Sequence, residues 1–250
     1  MTASRATMAS RVEDPQSLDY FPSPPWWGRA LGEALDRLSL PLALPGWPCA
    51  VEEPAAGEGH LAHGLADVFD DVMASDVFAY PSRPGAVPIA VQDYLHPGRA
   101  PSTHAPWWRL PVGWTATNPP FGDLTEPFIR RAYGRAKIGA AMLLQLRLLE
   151  GKGRHQLFRE CGLYATVVLP RKGSGVRKGV WEPGQSTATA YAWFIFVKPG
   201  IVPGWAGFDG EARQLWMDPE AAARLTRSSD MAFAGLKAPA GSAHELRAAA

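Results

Sequence analysis

Apolar and polar positions alternate in blocks that predict strands and helices in turn. Apolar or β-branched runs predict strands at residues 49–52, 72–76, 112–116, 139–146, 163–170 and 187–197. Amphipathic stretches predict helices at residues 30–38, 59–69, 124–136 and 150–161. Because strands alternate with helices and the last two β runs follow one another, we predict an α/β fold. It would be a mostly parallel, doubly wound sheet with an antiparallel last strand.

The blocks also predict how the chain is divided. Residues 1–18 are polar and are expected to be disordered, whereas residues 19–198 hold the whole strand–helix series. Residues 199–250 are predicted to form a C-terminal extension that is partly disordered, with one weak helix at 219–227. With 250 residues, 46% of them hydrophobic, the chain can bury a sizeable core.

The cysteines, the histidines and the apolar runs bear on the compartment, on membrane spanning and on metal binding. Cys49 and Cys161 have no metal or redox spacing, which suits a reducing cytoplasm. The first ten residues lack the apolar centre of a secretory signal. The longest apolar run, 190–197, is too short to cross a bilayer, so no membrane partner is expected. His60 and His63 are spaced for one helix face but lack further ligands, so we predict no metal site.

Charge is distributed unevenly, although the net charge is only +1. Residues 124–198 carry 13 basic and 4 acidic side chains, whereas residues 1–123 carry 7 basic and 14 acidic ones. A basic central third predicts an anionic partner on one face. The alternative is that these cations only solvate helix surfaces.

A rigid polar turn stands between the predicted strand 112–116 and the helix 124–136. It reads Asn118-Pro119-Pro120-Phe121. Ligands of open α/β sheets bind at this kind of position, the carboxyl end of a strand. The two prolines stiffen the turn, Asn118 offers a side-chain acceptor and donor, and Phe121 offers a flat apolar face. This combination suits a planar group that carries an amino group.

These four residues resemble the (Asn/Asp)-Pro-Pro-(Tyr/Phe/Trp) motif of S-adenosylmethionine-dependent methyltransferases that modify planar amino nitrogens. The resemblance implies a Rossmann-like class I methyltransferase fold. It also implies that Asn118, Pro119, Pro120 and Phe121 are the catalytic residues. The amino group would donate to the Asn118 side chain and the Pro119 carbonyl, and Phe121 would stack on a base flipped out of a duplex.

A glycine turn follows the strand 49–52. Gly57 and Gly59 permit positive φ and a close approach of the backbone to a ligand. The segment Glu53-Pro54-x-x-Gly57-x-Gly59 resembles the cofactor loop of the same methyltransferases. That resemblance implies that Glu53, Pro54, Gly57 and Gly59 bind S-adenosylmethionine. An acid near this loop suits a ligand that carries an ammonium and a sulfonium.

Two further acids follow the glycine turn. Asp76 ends the strand 72–76, 19 residues after Gly57, and an acid at this place can accept from both ribose hydroxyls of a nucleoside. The alternative is a surface acid that merely ends a strand. Asp93 lies in a segment that resembles the one holding the adenine ring, which implies that it accepts from the adenine amino group.

A proline-rich arm precedes the first helix. Residues 19–27 read Asp-Tyr-Phe-Pro-Ser-Pro-Pro-Trp-Trp and predict an extended, rigid segment. Its resemblance to a Tyr-Tyr/Phe-Pro-Thr-Pro arm implies that Phe21, Pro22 and Ser23 line the methionine end of the cofactor pocket. Ser23 replaces the usual threonine and keeps the hydroxyl. The alternative is an arm that only packs on the domain.

The order of motifs over residues 19–198 most resembles small phage- or prophage-type adenine-specific DNA methyltransferases. The resemblance implies methyl transfer from S-adenosylmethionine to adenine in DNA, with RNA bases, protein glutamine or a non-catalytic nucleic-acid-binding module as alternatives. If the protein recognises a DNA sequence, the loops at 96–111 and 171–185 would make the contacts that recognise it. Basic side chains near them are candidates for phosphate contacts: Arg147, Lys152, Arg154, Arg171, Lys172, Arg177 and Lys178.

Overall fold

The structure is a computed structural model. It describes residues 20–81, 83, 85–96, 112–177 and 179–235. Residues 1–18, for which disorder is predicted, lie outside the described residues. So do residues 97–111 of the predicted loop 96–111, Lys178 and the last fifteen residues. No helix in the described ranges is long and apolar enough to cross a membrane.

The described chain contains five α-helices and ten strands. The helices are α1 (Pro25–Arg37), α2 (His60–Leu65), α3 (Thr125–Arg135), α4 (Arg154–Cys161) and α5 (Ala221–Leu225). The strands are β1 (Ala50–Glu53), β2 (Asp71–Asp76), β3 (Ile89–Val91), β4 (Val112–Thr117), β5 (Ala136–Gln145), β6 (Leu163–Val168), β7 (Val176–Arg177), β8 (Val180–Trp181), β9 (Tyr191–Val197) and β10 (Arg213–Trp216).

Eight strands of the described chain form one sheet in the order β10-β6-β9-β5-β4-β1-β2-β3. Neighbouring strands are parallel except that β9 runs antiparallel to both β5 and β6. The predicted fold class is thereby confirmed. Because β1, β2, β4, β5 and β6 point the same way, their carboxyl ends share one edge of the sheet, here called the carboxyl edge.

Both faces of the sheet are covered by helices. Alternate residues of β9 face opposite sides, as the period of a strand requires: Trp193 belongs to the larger core with α1 and α2, and Phe194 to the smaller core with α4. The indole Nε1 of Trp193 donates to the Trp27 carbonyl in α1 at 3.0 Å. A strand buried on both faces explains the continuous apolar run that predicted it.

The helix α1 begins at Pro25, five residues before its predicted start. The prolines indicated extended chain as far as Trp27. Proline is well suited to the first position of a helix, however, because its fixed φ is helical and the missing amide hydrogen has no partner there. Trp26 and Trp27 are therefore helical and completely buried.

The sheet continues beyond residue 198, the predicted domain boundary. Strand β10 pairs in parallel with β6, with Gln214 opposite Thr166. Residues Ala221 and Ala222 of α5 are buried in the larger core. Residues 199–235 thus belong to the same packed unit as the strands before them.

Candidate functional site

The turn after β4 lies near the middle of the carboxyl edge, between β1 and β5. Ser23 Oγ accepts a hydrogen bond from Asn118 Nδ2 at 3.0 Å. Asn118 Oδ1 is buried and has no hydrogen-bond partner among the described residues. The hydroxyl of Thr125, the first residue of α3, donates to the Pro120 carbonyl at 2.9 Å. The turn is thus held at both ends, and Ser23 leaves the Asn118 oxygen as an acceptor.

The arm before α1 crosses the carboxyl edge and meets this turn. Phe21 lies edge-on to Phe121, with ring centroids 6.5 Å apart. It also stacks on Trp27 and contacts Tyr191 of β9 at 5.4 Å between centroids. Pro22 and Ser23 are buried. The residues predicted for the cofactor pocket and the catalytic turn are therefore brought together, and Ser23 lies on Asn118, a contact that the sequence did not indicate.

The glycine loop connects β1 to α2. Gly57 has φ +55° and Gly59, the residue before α2, has φ +88°, so both occupy the left-handed region that glycine favours. The amide of Gly57 donates to Asp76 Oδ2 at 2.8 Å. A Cβ at Gly57 would lie 3.1 Å from the Tyr20 ring. The loop is therefore fixed between Asp76 and the arm, and a side chain at Gly57 would crowd the Tyr20 ring.

Two buried carboxyl groups lie beside this loop. Glu53 ends β1, Asp76 ends β2, and Glu53 Oε2 has no hydrogen-bond partner in the part of the chain that the structure describes. Burial and then the negative charge of Asp76 raise the pKa of Glu53 well above its usual range. Burial raises the pKa of Asp76 to about 6, against the opposing effect of the backbone amides of Gly57 and Phe78. A cationic ligand would stabilise the ionised forms of both groups.

Asp93 lies after β3, on the same side of the sheet. Its Oδ1 accepts from the amides of Leu95 and His96 at 2.9 and 3.0 Å, so the carboxylate closes its own turn. The preceding residue, Gln92, is 3% exposed, and its Oε1 has no hydrogen-bond partner among the described residues. The backbone amide of Gln92 also donates to the backbone carbonyl of Asp76 at 2.7 Å. Gln92 is therefore a buried acceptor at this edge that the sequence analysis missed, because glutamine in a loop carries no distinctive signal.

The predicted phosphate-binding residues follow β5 and β6, whose carboxyl ends lie at the same edge as Asn118. Two of their side chains make internal contacts: Arg154 pairs with Glu126 of α3, and Arg171 donates to the carbonyls of Thr187 and Ala188. Lys172 forms a backbone bridge with Ser186. Arg147 and Lys152 are exposed. The side chains of Arg177 and Lys178 are outside the description.

The predicted loop 171–185 contains the short antiparallel hairpin β7–β8. Two indoles of α1 fix its base: Trp26 Nε1 donates to the Gly173 carbonyl at 3.0 Å, and Trp27 Nε1 to Ser174 Oγ at 3.2 Å. Gly179, the residue before β8, lies close to the arm, since a Cβ there would be 3.7 Å from the Tyr20 ring. The hairpin is thus anchored beside the candidate site.

The two histidines spaced for a metal pair have other contacts. His60 Nε2 lies 3.1 Å from the Phe233 carbonyl oxygen, and His63 Nε2 lies 3.4 Å from both Ser229 Oγ and an Asp230 carboxylate oxygen. Across the described ranges, no three His, Cys, Asp or Glu side chains are grouped as metal ligands.

This sheet, parallel except for the antiparallel strand β9, has the Rossmann-like class I methyltransferase fold. Comparison with solved structures agrees. The chain is 13% identical to a Listeria monocytogenes protein assigned to the class I S-adenosylmethionine-dependent methyltransferases, with a TM-score of 0.51 over 87% of this chain and 73% of that one.

Two larger DNA-bound proteins contain the same fold. One is the ATP-dependent Type ISP restriction-modification enzyme LlaBIII, with 12% identity and a TM-score of 0.52 over 84% of this chain and 21% of that one. The other is DrdV, with 13% identity and a TM-score of 0.50 over 88% and 30%. The chain thus spans less than a third of either protein. No family model and no curated protein matches the sequence.

Proposed function

We propose that this protein transfers a methyl group from S-adenosylmethionine to the exocyclic amino group of adenine in DNA. The observation that carries the proposal is the orientation of Asn118. Its amide nitrogen is occupied by Ser23, and its carbonyl oxygen is a buried acceptor with no partner among the described residues. An acceptor at the carboxyl end of the central strand suits an amino group delivered by a flat substrate.

The chain's own residues account for the positioning. An arylamine nitrogen is a weak nucleophile because its lone pair is delocalised into the ring. A hydrogen bond from that amino group to Asn118 Oδ1, and a second to the Pro119 carbonyl, would favour a more tetrahedral nitrogen. Because the turn is held by Ser23 and Thr125, these acceptors need little reorganisation when the substrate arrives. Phe121, supported edge-on by Phe21, would offer its face to the base.

The residues around the glycine loop fit the proposed cofactor. S-adenosylmethionine supplies an electrophilic methyl group on a sulfonium and also carries an ammonium. The buried carboxyl groups of Glu53 and Asp76 complement the positive charges of such a ligand. The absence of a side chain at Gly57 lets the loop lie directly beside the Tyr20 ring of the arm. Gln92 Oε1 adds a buried acceptor at the same edge.

DNA is the substrate that we favour. Arg147 and Lys152 are exposed and follow β5, whose carboxyl end lies at the same edge of the sheet as the Asn118 turn. The excess of basic side chains over residues 124–198 suits a phosphate backbone more than a protein side chain. Two proteins with this fold, LlaBIII and DrdV, were also determined with DNA.

The decisive experiment is transfer of tritiated methyl groups from S-adenosylmethionine to unmethylated DNA, total RNA and a protein extract. The labelled product is then digested to nucleosides or amino acids. We expect label in methyladenine from DNA. Label only in RNA or in glutamine would keep the pocket and replace the substrate. Cofactor binding without label in any pool would indicate a non-catalytic module.

A matched pair of variants ties the label to the site. Asn118→Ala removes the proposed acceptor, whereas Asp123→Asn changes an exposed polar residue of the same edge. Only the first should abolish transfer. Equal activity of Asn118→Ala and the wild-type protein would contradict the proposal, whatever the substrate.

A further inference from the structure

A C-terminal segment, residues 225–233, packs against α1 and α2. We call it the clasp. Arg29 of α1 donates from both terminal guanidinium nitrogens to Asp230, at 2.7 Å each, and from Nη1 to the Leu225 carbonyl at 2.7 Å. Asp230 is fully buried, and Asp67 adds a second carboxylate on Arg29 at 2.6 Å. A planar cation paired in this way fixes orientation as well as proximity.

The clasp reaches the glycine loop through one side chain. His60 is the first residue of α2 and directly follows Gly59. Its Nε2 lies 3.1 Å from the Phe233 carbonyl oxygen, and the two rings pack 5.1 Å apart between centroids. A carbonyl only accepts, so Nε2 carries the proton and Nδ1 does not. Burial lowers the pKa of His60 to about 4, which keeps the ring neutral near pH 7.

The helix α2 depends on such contacts. It has six residues, and a helix of this length has little stability of its own in water. On one side, Gly64 packs so closely on α1 that a Cβ would overlap the Pro25 carbonyl oxygen. On the other side the clasp holds His60 and His63. The position of Gly59, which precedes α2, is therefore set partly by the clasp through the contact of His60 with Phe233, 173 residues further along the chain.

We infer that His60 is a positioning residue for the cofactor loop, held in place by the Phe233 carbonyl of the clasp. This inference rests on the proposed function. It gives the clasp an indirect effect on cofactor affinity, through the position of the glycine loop. His60 itself lies behind the loop and acts through Gly59 and Gly57.

The test uses two amide replacements of His60 in the full chain. The Nε2 of glutamine can take the place of the imidazole Nε2 and donate to Phe233, whereas the shorter asparagine cannot reach it. Calorimetry with S-adenosylmethionine should give wild-type affinity, within about twofold, for His60→Gln, and about five- to tenfold weaker binding for His60→Asn. In initial rates, His60→Asn should raise the cofactor KM by the same factor, with kcat and the DNA KM almost unchanged.

Arg224→Ala is the control, because it removes the ion pair of α5 with Glu33 of α1 without touching α2. It should leave cofactor affinity unchanged. Equal affinities for His60→Asn and the wild-type protein would overturn the inference, as would an equal loss in His60→Gln and His60→Asn. A wild-type protein that binds no S-adenosylmethionine would overturn the proposed function, and this inference with it. Wild-type binding with unaffected variants would overturn this inference alone.

Discussion

The unfolding free energy of Asp76→Asn, measured relative to the wild-type protein, should increase as the pH rises from acid to neutral. The pKa of Asp76 in the folded protein is raised to about 6 from an ordinary value of 3.8. The folded protein therefore binds this proton more tightly than the unfolded chain does. Its contribution to stability is fully present below pH 3.8 and is lost as pH rises through about 6.

The size of the Asp76 pKa shift determines how much the unfolding free energy changes with pH. A difference of about 2 pKa units corresponds to about 3 kcal/mol of unfolding free energy over the whole titration. From about pH 4.5 to about pH 8, roughly 2 kcal/mol of this is lost, because the unfolded side chain is already mostly ionised at the lower pH. Asparagine cannot ionise, so the stability difference between the variant and the wild-type protein should grow by roughly 2 kcal/mol over this interval. Relief of Glu53 from its charged neighbour acts in the same direction.

Urea unfolding at both pH values, followed by tryptophan fluorescence, measures this difference directly. Subtracting the variant's unfolding free energy from that of the wild-type protein at each pH removes the titration of groups that the substitution does not affect. Asp123→Asn, at an exposed position, controls for removal of a surface charge. A stability difference that is the same at both pH values would show that ionised Asp76 has no folding cost. Asp76 would then give no reason to expect a cation in this pocket.

Three further substitutions test other parts of the site and core. Asn118→Ala should lose methyl transfer and keep cofactor affinity within about twofold by calorimetry, because the turn and the glycine loop are separate; a parallel loss of both would contradict this. Ser23→Ala should lower kcat about tenfold in initial-rate assays, because Ser23 holds Asn118. Gly64→Ala should lower the unfolding free energy by about 3 kcal/mol or more in urea, since its Cβ would overlap the Pro25 carbonyl oxygen. Its control, Gly134→Ala, is exposed near the end of α3 with nothing nearby and should stabilise by about 0.5–1 kcal/mol.

The central part of the fold follows from local patterns. The run 112–116 and the polar turn after it predicted β4 and the start of α3 within a residue, because a buried strand and a proline pair are local signals. The same holds for β2 and its terminal Asp76. The helix α2 was predicted to run to Phe69 but ends at Leu65, and the apolar residues after it pack from a turn instead.

The remaining features depend on contacts between distant residues. Strand β10 has an exposed, mixed pattern, with Trp216 63% exposed, because it lies at the edge of the sheet and buries little. The contact of Ser23 with Asn118 joins residues 95 positions apart, and sequence spacing carries no trace of it. The Glu53–Asp76 pair was predicted as two separate acids, whereas their raised pKa values arise from shared burial.

The bond between Arg29 and Asp230 has a consequence for the order of folding. It joins residues 201 positions apart. Closing a loop of this length costs about 3 kcal/mol more than closing one of about ten residues, so the contact cannot form early. At roughly 5–20 residues per second, a ribosome would expose α1 for about 10–40 s before Asp230 emerges. During that time Arg29 has Asp67 alone as its carboxylate partner. Nascent chains stopped before residue 230 should therefore remain protease-sensitive around α1, and resistance should appear only once the clasp has left the exit tunnel.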